Sequence, residues 1–428
     1  MLCDSDCGGA GVSFWKRYRT SIFIFFAVLG PGFITANVDN DSGGIFTYSQ
    51  AGAQYGYKLL WTMIPITIAL IVVQEMCARM GVVTGKGLSD LIREEFGLRM
   101  TFFIMLLLVL VNFGNVVAEF SGIVGSTELF RHNIKYISVP LCALAVWALV
   151  VRGDYKKVEK VFLVASAFYI CYIVAGVLAQ PAWHEALIET VKLPSRGVWK
   201  DQNYIYLVVG VIGTTISPWM QFYLQSSVVE KGITIKQYRA SLMDVIVGSI
   251  FSDVVAWFII VACAATLWTH GIRNITDAAD AAQAMKPLAG DFAYILFAAG
   301  LFNASFFAAS VLPISTAYSV CEGLGFESGV DKKFREAPFF YWLYTLLIVA
   351  GAAVVLIPHF PWVKMIILSQ VLNGVLLPFV LYFMLKLANN KELMGKHTNS
   401  RVFNWIAYAT SVIVIGLSVM LLWQQLHG

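Results

Sequence analysis

Apolar runs of about 20 residues, separated by short charged connections, recur along nearly the whole chain, the length at which an α-helix crosses a bilayer. The pattern predicts an all-α polytopic membrane protein with about eleven transmembrane helices. The runs lie near 20–38 continuing as 42–52, then 59–82, 101–129, 136–151, 158–180, 203–230, 240–268, 289–322, 338–357, 363–388 and 402–426. Between the second and third, residues 85–97 place Leu88, Leu91, Ile92 and Phe96 at helical spacing, which predicts a short surface helix at the membrane interface.

Two runs are interrupted. The first reads GPGFITANVDNDSGGIFTYSQAG over residues 30–52, with Asp39 and Asp41 in its middle and Ser42, Gly43 and Gly44 behind them. Charge at that depth is costly and a Ser-Gly-Gly sequence holds a helix poorly, so an unwound turn facing a wet cavity is expected. The sixth run breaks at Gly213, Thr214, Thr215, Ile216, Ser217 and Pro218. Proline removes an amide donor there and frees carbonyls around Thr214. Breaks five spans apart predict a transporter of inverted 5+5 repeats. Its organisation is then a cytoplasmic segment 1–19, a first repeat 20–180, a second repeat 203–388 and an additional helix 402–426.

Composition agrees: 58% of the 428 residues are hydrophobic and 13% charged, about half the share of a soluble domain, and mean hydropathy is +0.72. Polar connections reach only about 22 residues, which excludes a soluble domain carrying chemistry outside the bilayer. Seven cysteines and six histidines form no metal-knuckle spacing, disulfide framework or nucleophile–base pair. No enzyme, cofactor, nucleic-acid target or obligate protein partner is expected; the lipid bilayer is the partner this composition implies. Lys16, Arg17 and Arg19 precede a run too long for a cleavable signal. With the N-terminus inside, connections carry Lys and Arg in the ratio 21 to 9, inner to outer. That predicts an integral plasma (inner) membrane protein with a cytoplasmic N-terminus and an extracytoplasmic C-terminus.

The segments GPGF (30–33), QAGAQYGYKLLW (50–61), QEMCARMGVVTGKGL (74–88) and SQVLNGVLLPF (369–379) resemble the Nramp divalent-metal transporters. The resemblance implies a LeuT-like fold, that of the neurotransmitter:sodium symporters, and proton-driven transport of transition metals. The site departs from the family pattern. Asp-Pro-Gly-Asn becomes Asp41-Ser42-Gly43-Gly44, so the asparagine ligand is replaced by Gly44. Ala-x-x-Met-Pro-His becomes residues 214–219, with Ser217 for the methionine and Trp219 for the histidine. In the third span Val116 replaces an aspartate and Glu119 alone remains of the pair.

Thioether and imidazole favour softer metals, whereas carboxylate, hydroxyl, carbonyl and water suit Mg²⁺, Ca²⁺ and Mn²⁺. Mg²⁺ is usually held by one or two carboxylates with waters retained. The expected ligands are Asp41, the carbonyls of Val38 and Thr214, Ser42, Ser217 and Gln370, with Gly44 at the turn; Asp39, Gln221, Gln225, Asn373 and Glu119 form the pathway or support. The sequence reading is facilitated uptake of hydrated Mg²⁺, with Mn²⁺ accepted, similar to the family's magnesium-transporting branch. Val116 and Trp219 interrupt the titratable route, so transport is expected to be uncoupled from protons. The alternatives are a proton-coupled Mn²⁺/Fe²⁺ symporter and a sodium-coupled organic-solute symporter. Elsewhere, Asp244 is expected at the interface, Asp253 as a gate or a pair within the bundle, and Glu75 in an i,i+4 ion pair with Arg79.

Overall fold

The computed structural model describes residues 30–131, 133–152, 167–276, 278–285, 290 and 293–427, and every regular element among them is helical. The first span enters as α1 (Pro31–Asn37), tightens into a 3₁₀ turn (Val38–Asn40) and resumes as α2 (Ser42–Tyr55). A second 3₁₀ turn (Gly56–Thr62) leads into α3 (Met63–Thr84), followed by α4 (Leu88–Glu128), α5 (Lys135–Val151), α6 (Ile170–Leu178) and α7 (Trp183–Val191). The sixth span is α8 (Gln202–Thr215) and α9 (Pro218–Glu230). Then come α10 (Tyr238–Cys263), α11 (Ala293–Leu324), α12 (Pro338–Val355), α13 (Trp362–Ala388) and α14 (Arg401–His427).

Eight stretches among the described residues are long and apolar enough to cross a membrane, and Lys135–Val151 is a shorter apolar helix. One of the eight, Ser42–Thr84, joins two predicted runs; the predicted starts at 20–29 and 158–166 lie outside the described residues. The bundle's outside is apolar, with Leu110, Leu141, Leu346 and Val412 all more than half exposed, as lipid contact requires. The segment expected on the surface is a helical turn that ends at Gly97, whose φ of 81° breaks α4. Its stripe packs inward: Leu88, Leu91 and Ile92 are fully buried and Phe96 sits edge-on to Phe383.

Helix α10 runs the length of the first span. Gly248 lies against the Phe33 backbone, Ser252 against Asn40, and Gly52 against the Ile260 carbonyl. At one end of this contact stands Asp244, which is 2% exposed rather than interfacial. Its carboxylate accepts hydrogen bonds from the amides of Gly30 (3.1 Å), Gly32 (2.8 Å) and Phe33 (3.1 Å). These are donors that the first turn of a helix leaves unpaired, and an anion at that end complements the helix dipole. The expected Glu75–Arg79 pair forms at 2.8 Å and reaches further. Arg79 also donates to the His397 carbonyl and Asn399, and the Tyr238 hydroxyl donates to Glu75, tying α3 to α10 and to the linker before α14.

Replacing Asp244 with Ala strands three amides. Each buried group left unmade costs about 1–3 kcal/mol, so thermal unfolding in detergent should show Asp244→Ala melting several degrees below the native chain. An unchanged melting point would mean that α1 does not depend on this cap.

Candidate functional site

Both breaks begin a new helix with an extended residue. Asp41 (φ −70°, ψ −170°) is the N-cap of α2 and accepts the Gly44 amide at 2.7 Å. Ser217 (φ −64°, ψ 137°) is the N-cap of α9, with Pro218 in the first helical position, where its missing N–H costs nothing. The Ser217 hydroxyl turns back to the carbonyls of Gly213 (2.7 Å) and Thr214 (2.9 Å), closing the end of α8.

Gln370 on α13 joins the two breaks. A Cβ on Gly43 would stand 2.0 Å from Gln370 Nε2 and 2.9 Å from Asp41 Oδ1. A Cβ on Gly213 would stand 2.0 Å from the Gln370 carbonyl. The side chain of one residue therefore abuts the first break while its backbone abuts the second. Only glycine allows either approach. Asn373 donates to Gln370 Oε1 at 3.0 Å and exchanges hydrogen bonds with Asn115 of α4, also at 3.0 Å, which orients the glutamine. Tyr48 on α2 and Thr215 on α8 share a 2.8 Å hydroxyl bond that ties the same two spans.

Glu119 on α4 reaches the break from another side. Its Oε2 accepts the Ser42 amide at 3.2 Å, and the Ser42 hydroxyl donates to the Ala118 carbonyl at 3.0 Å. Asp41 and Glu119 thus serve the same turn, Asp41 on the amide of Gly44 and Glu119 on that of Ser42, the residue after Asp41. Asp39 is 2% exposed, with Oδ2 3.4 Å from the Ser252 hydroxyl and Oδ1 unpartnered. Glu119 Oε1 is also unpartnered. Arg79, already paired with Glu75, is the one basic side chain buried among the described residues, so these carboxyls have no fixed counter-charge.

Of the expected residues, Asp41, Ser42, Gln370, Asn373 and Glu119 gather at the first break, with Asp39 and Val38 in the turn that precedes it and Thr214 and Ser217 at the second. Gln225 does not join them, and Gln221 touches the second break only through the Ser217 carbonyl. They share one stripe of α9: Gln221 donates to the Ser217 carbonyl and accepts from Cys77 of α3, and Gln225 donates to the Lys86 carbonyl at 2.9 Å. Gly44 offers its amide to Asp41 and no side-chain ligand. Val116 lies against Gly351 of α12, so that position looks away from Asp41. Sequence reading missed Tyr48, Thr215 and Asn115. The signal for Asn115 was available: Asn112, Asn115 and Glu119 repeat at helical spacing on one face of an otherwise apolar run.

The chain matches the family described as natural resistance-associated macrophage protein-like (Nramp) over residues 32–424. It belongs to the Nramp family. The chain is accordingly a membrane transporter and not an enzyme. Similar relatives are the divalent metal cation transporter MntH of Deinococcus radiodurans, 27% identical over 94% of this chain and 90% of that protein, and that of Ralstonia nicotianae, 27% identical over 100% and 97%. Among solved structures, the Eremococcus coleocola manganese transporter superposes with a TM-score of 0.76 at 19% identity, covering 97% of this chain and 87% of that one. MhsT in complex with L-phenylalanine gives 0.60 at 13% identity, covering 91% and 98%. These two show the fold, and MhsT carries the LeuT-like architecture that the interrupted spans predict.

This Nramp chain cannot regain the family's asparagine at position 44 without moving its break, because a Cβ there would stand 2.2 Å from the Asp39 carbonyl oxygen. Forced overpacking of this kind costs about 1–3 kcal/mol. Gly44→Ala and Gly44→Asn should both lower the melting temperature by several degrees; a Gly44→Asn chain as stable as the native one would show that the turn relaxes freely.

Proposed function

We propose that this Nramp-family chain carries divalent metal cations across the membrane by alternating access, binding each ion where the two broken spans meet. The observation that carries the reading is a set of buried carboxyls with open lone pairs and no basic partner. Asp41 is the central ligand. The carbonyls of Val38 and Thr214 complete a partial shell, with the oxygens of Ser42 and Ser217 at its edge, the Gln370 amide packed behind it with its nitrogen toward Gly43, and water filling the rest. Every donor is an oxygen, the set that suits Mn²⁺ and Mg²⁺ over softer metals.

Between these ions the relatives weigh toward manganese, the metal named for the Eremococcus protein, and MntH is named a divalent metal cation transporter. Mn²⁺ is therefore the cargo we assign, with Mg²⁺ accepted by the same oxygens. The MntH relatives and the place of Glu119, on the amide of the residue after Asp41, weigh toward the proton-coupled symport alternative and against uncoupled transport. A divalent ion seated on Asp41 needs that carboxyl deprotonated, because metal ligands bind deprotonated. Glu119 is the buried carboxyl at the same turn that takes the proton up, the first step of a proton path alongside the ion. With the N-terminus cytoplasmic, import also draws on the membrane potential, about 4.6 kcal/mol for a divalent ion at 100 mV. An organic anion is disfavoured, since the carboxyls that attract a cation repel it.

The test is proton release on binding. Mn²⁺ added to detergent-solubilised protein in weakly buffered solution should release about one proton more from the native chain than from Glu119→Gln, which still binds the ion. Equal release from the two would return the uncoupled reading.

A further inference from the structure

Asp253 takes no part in the cluster around Asp41 and Glu119, yet it is 4% exposed and both of its carboxylate oxygens lack a hydrogen-bond partner. Helix α10 tracks the first span from Asp244 at the α1 cap to Ile260 at Gly52, and this register sets residues 252 and 253 at the height of the break. The Ser252 hydroxyl reaches Asp39 Oδ2 at 3.4 Å. Asn40 donates to that hydroxyl at 2.9 Å and to the Ser252 carbonyl at 3.2 Å. Pinned in this way, the Asn40 amide leaves its Oδ1 buried and unpartnered. One turn earlier on α10, the Ser249 hydroxyl is also buried without a partner.

Oxygens of Asp39, Asn40, Ser249 and Asp253 are thus buried at one height of the contact between the first span and α10, each without a hydrogen-bond partner, and the Ser252 hydroxyl beside Asp253 touches both Asp39 and Asn40. Buried polar groups are nearly always satisfied, and two carboxylates without a cation are an exception that asks for one. We infer a second divalent-cation site between Asp39 and Asp253, completed by the Asn40 amide oxygen and the hydroxyl of Ser252 or Ser249. Two negative charges match a divalent ion, and the all-oxygen set is again that of Mn²⁺ and Mg²⁺. It is distinct from the site at Asp41, because Asp41 faces Glu119 of α4 and Gln370 of α13 whereas these groups face α10. The inference rests on the proposed cargo, and it makes the break a two-ion station in which the second ion holds α10 against the first span.

The number of Mn²⁺ ions bound per chain tests it, measured by equilibrium dialysis of the full-length protein in detergent, with melting temperature recorded for each variant. The native chain should bind two ions, Asp253→Asn one and Asp41→Ala one. Ser249→Ala should keep two ions with a several-fold weaker second step. One ion in the native chain, lost in Asp41→Ala and kept in Asp253→Asn, overturns the second site and leaves the proposed function standing. No ion in the native chain overturns both. If Asp253→Asn melts too low to measure, Asp39→Asn replaces it and should likewise remove one ion; retention of two ions by a folded Asp39→Asn chain also overturns the site.

Discussion

Four acidic side chains, Asp39, Asp41, Glu119 and Asp253, lie in the interior of an apolar bundle with no basic residue buried beside them among the described residues. In a low-dielectric interior an isolated carboxylate costs several kcal/mol even after the surroundings relax. A soluble domain would answer with an arginine, as Arg79 answers Glu75 at the end of α3. Here the positive charge has to come from outside the chain. On the proposed function that charge is the transported metal ion.

The local backbone follows from the same constraint. Continuous helices consume their own carbonyls, so oxygen donors for an ion appear only where a helix stops. Glycine and serine in the first span and proline in the sixth provide the stops. Gly43 and Gly213 let α13 come close enough for Gln370 to touch both. The Asn115–Asn373 exchange holds that glutamine, and Tyr48 with Thr215 keeps the two spans at one height. Each contact is a modest hydrogen bond, worth on the order of 1 kcal/mol, but together they fix how the two breaks meet.

Much of this was legible in the sequence, because membrane spans are encoded locally. The sixth-span break was expected near 214–218 and falls at Ile216 and Ser217; the first falls at Asp41, between the two predicted halves. The Glu75–Arg79 pair follows from spacing alone. Contacts between distant segments were not legible. Asp244 was expected at the interface, yet its partners lie more than 200 positions earlier, at Gly30, Gly32 and Phe33. Gln221 and Gln225 follow the break closely in sequence, but the helical turn carries them onto the α3 side. Val116 and Trp219 suggested an interrupted proton route; that Glu119 accepts the amide of Ser42, the residue after Asp41, was not legible from the spacing.

The account turns on Asp41 as the residue that binds the transported ion. Uptake of Mn²⁺ into proteoliposomes under an inside-negative potential, compared between the native chain and Asp41→Ala, addresses this most directly. The account predicts saturable uptake in the native chain that Mg²⁺ competes against and that Asp41→Ala abolishes while its melting temperature stays close to native. Undiminished Mn²⁺ uptake by a folded Asp41→Ala chain would contradict it.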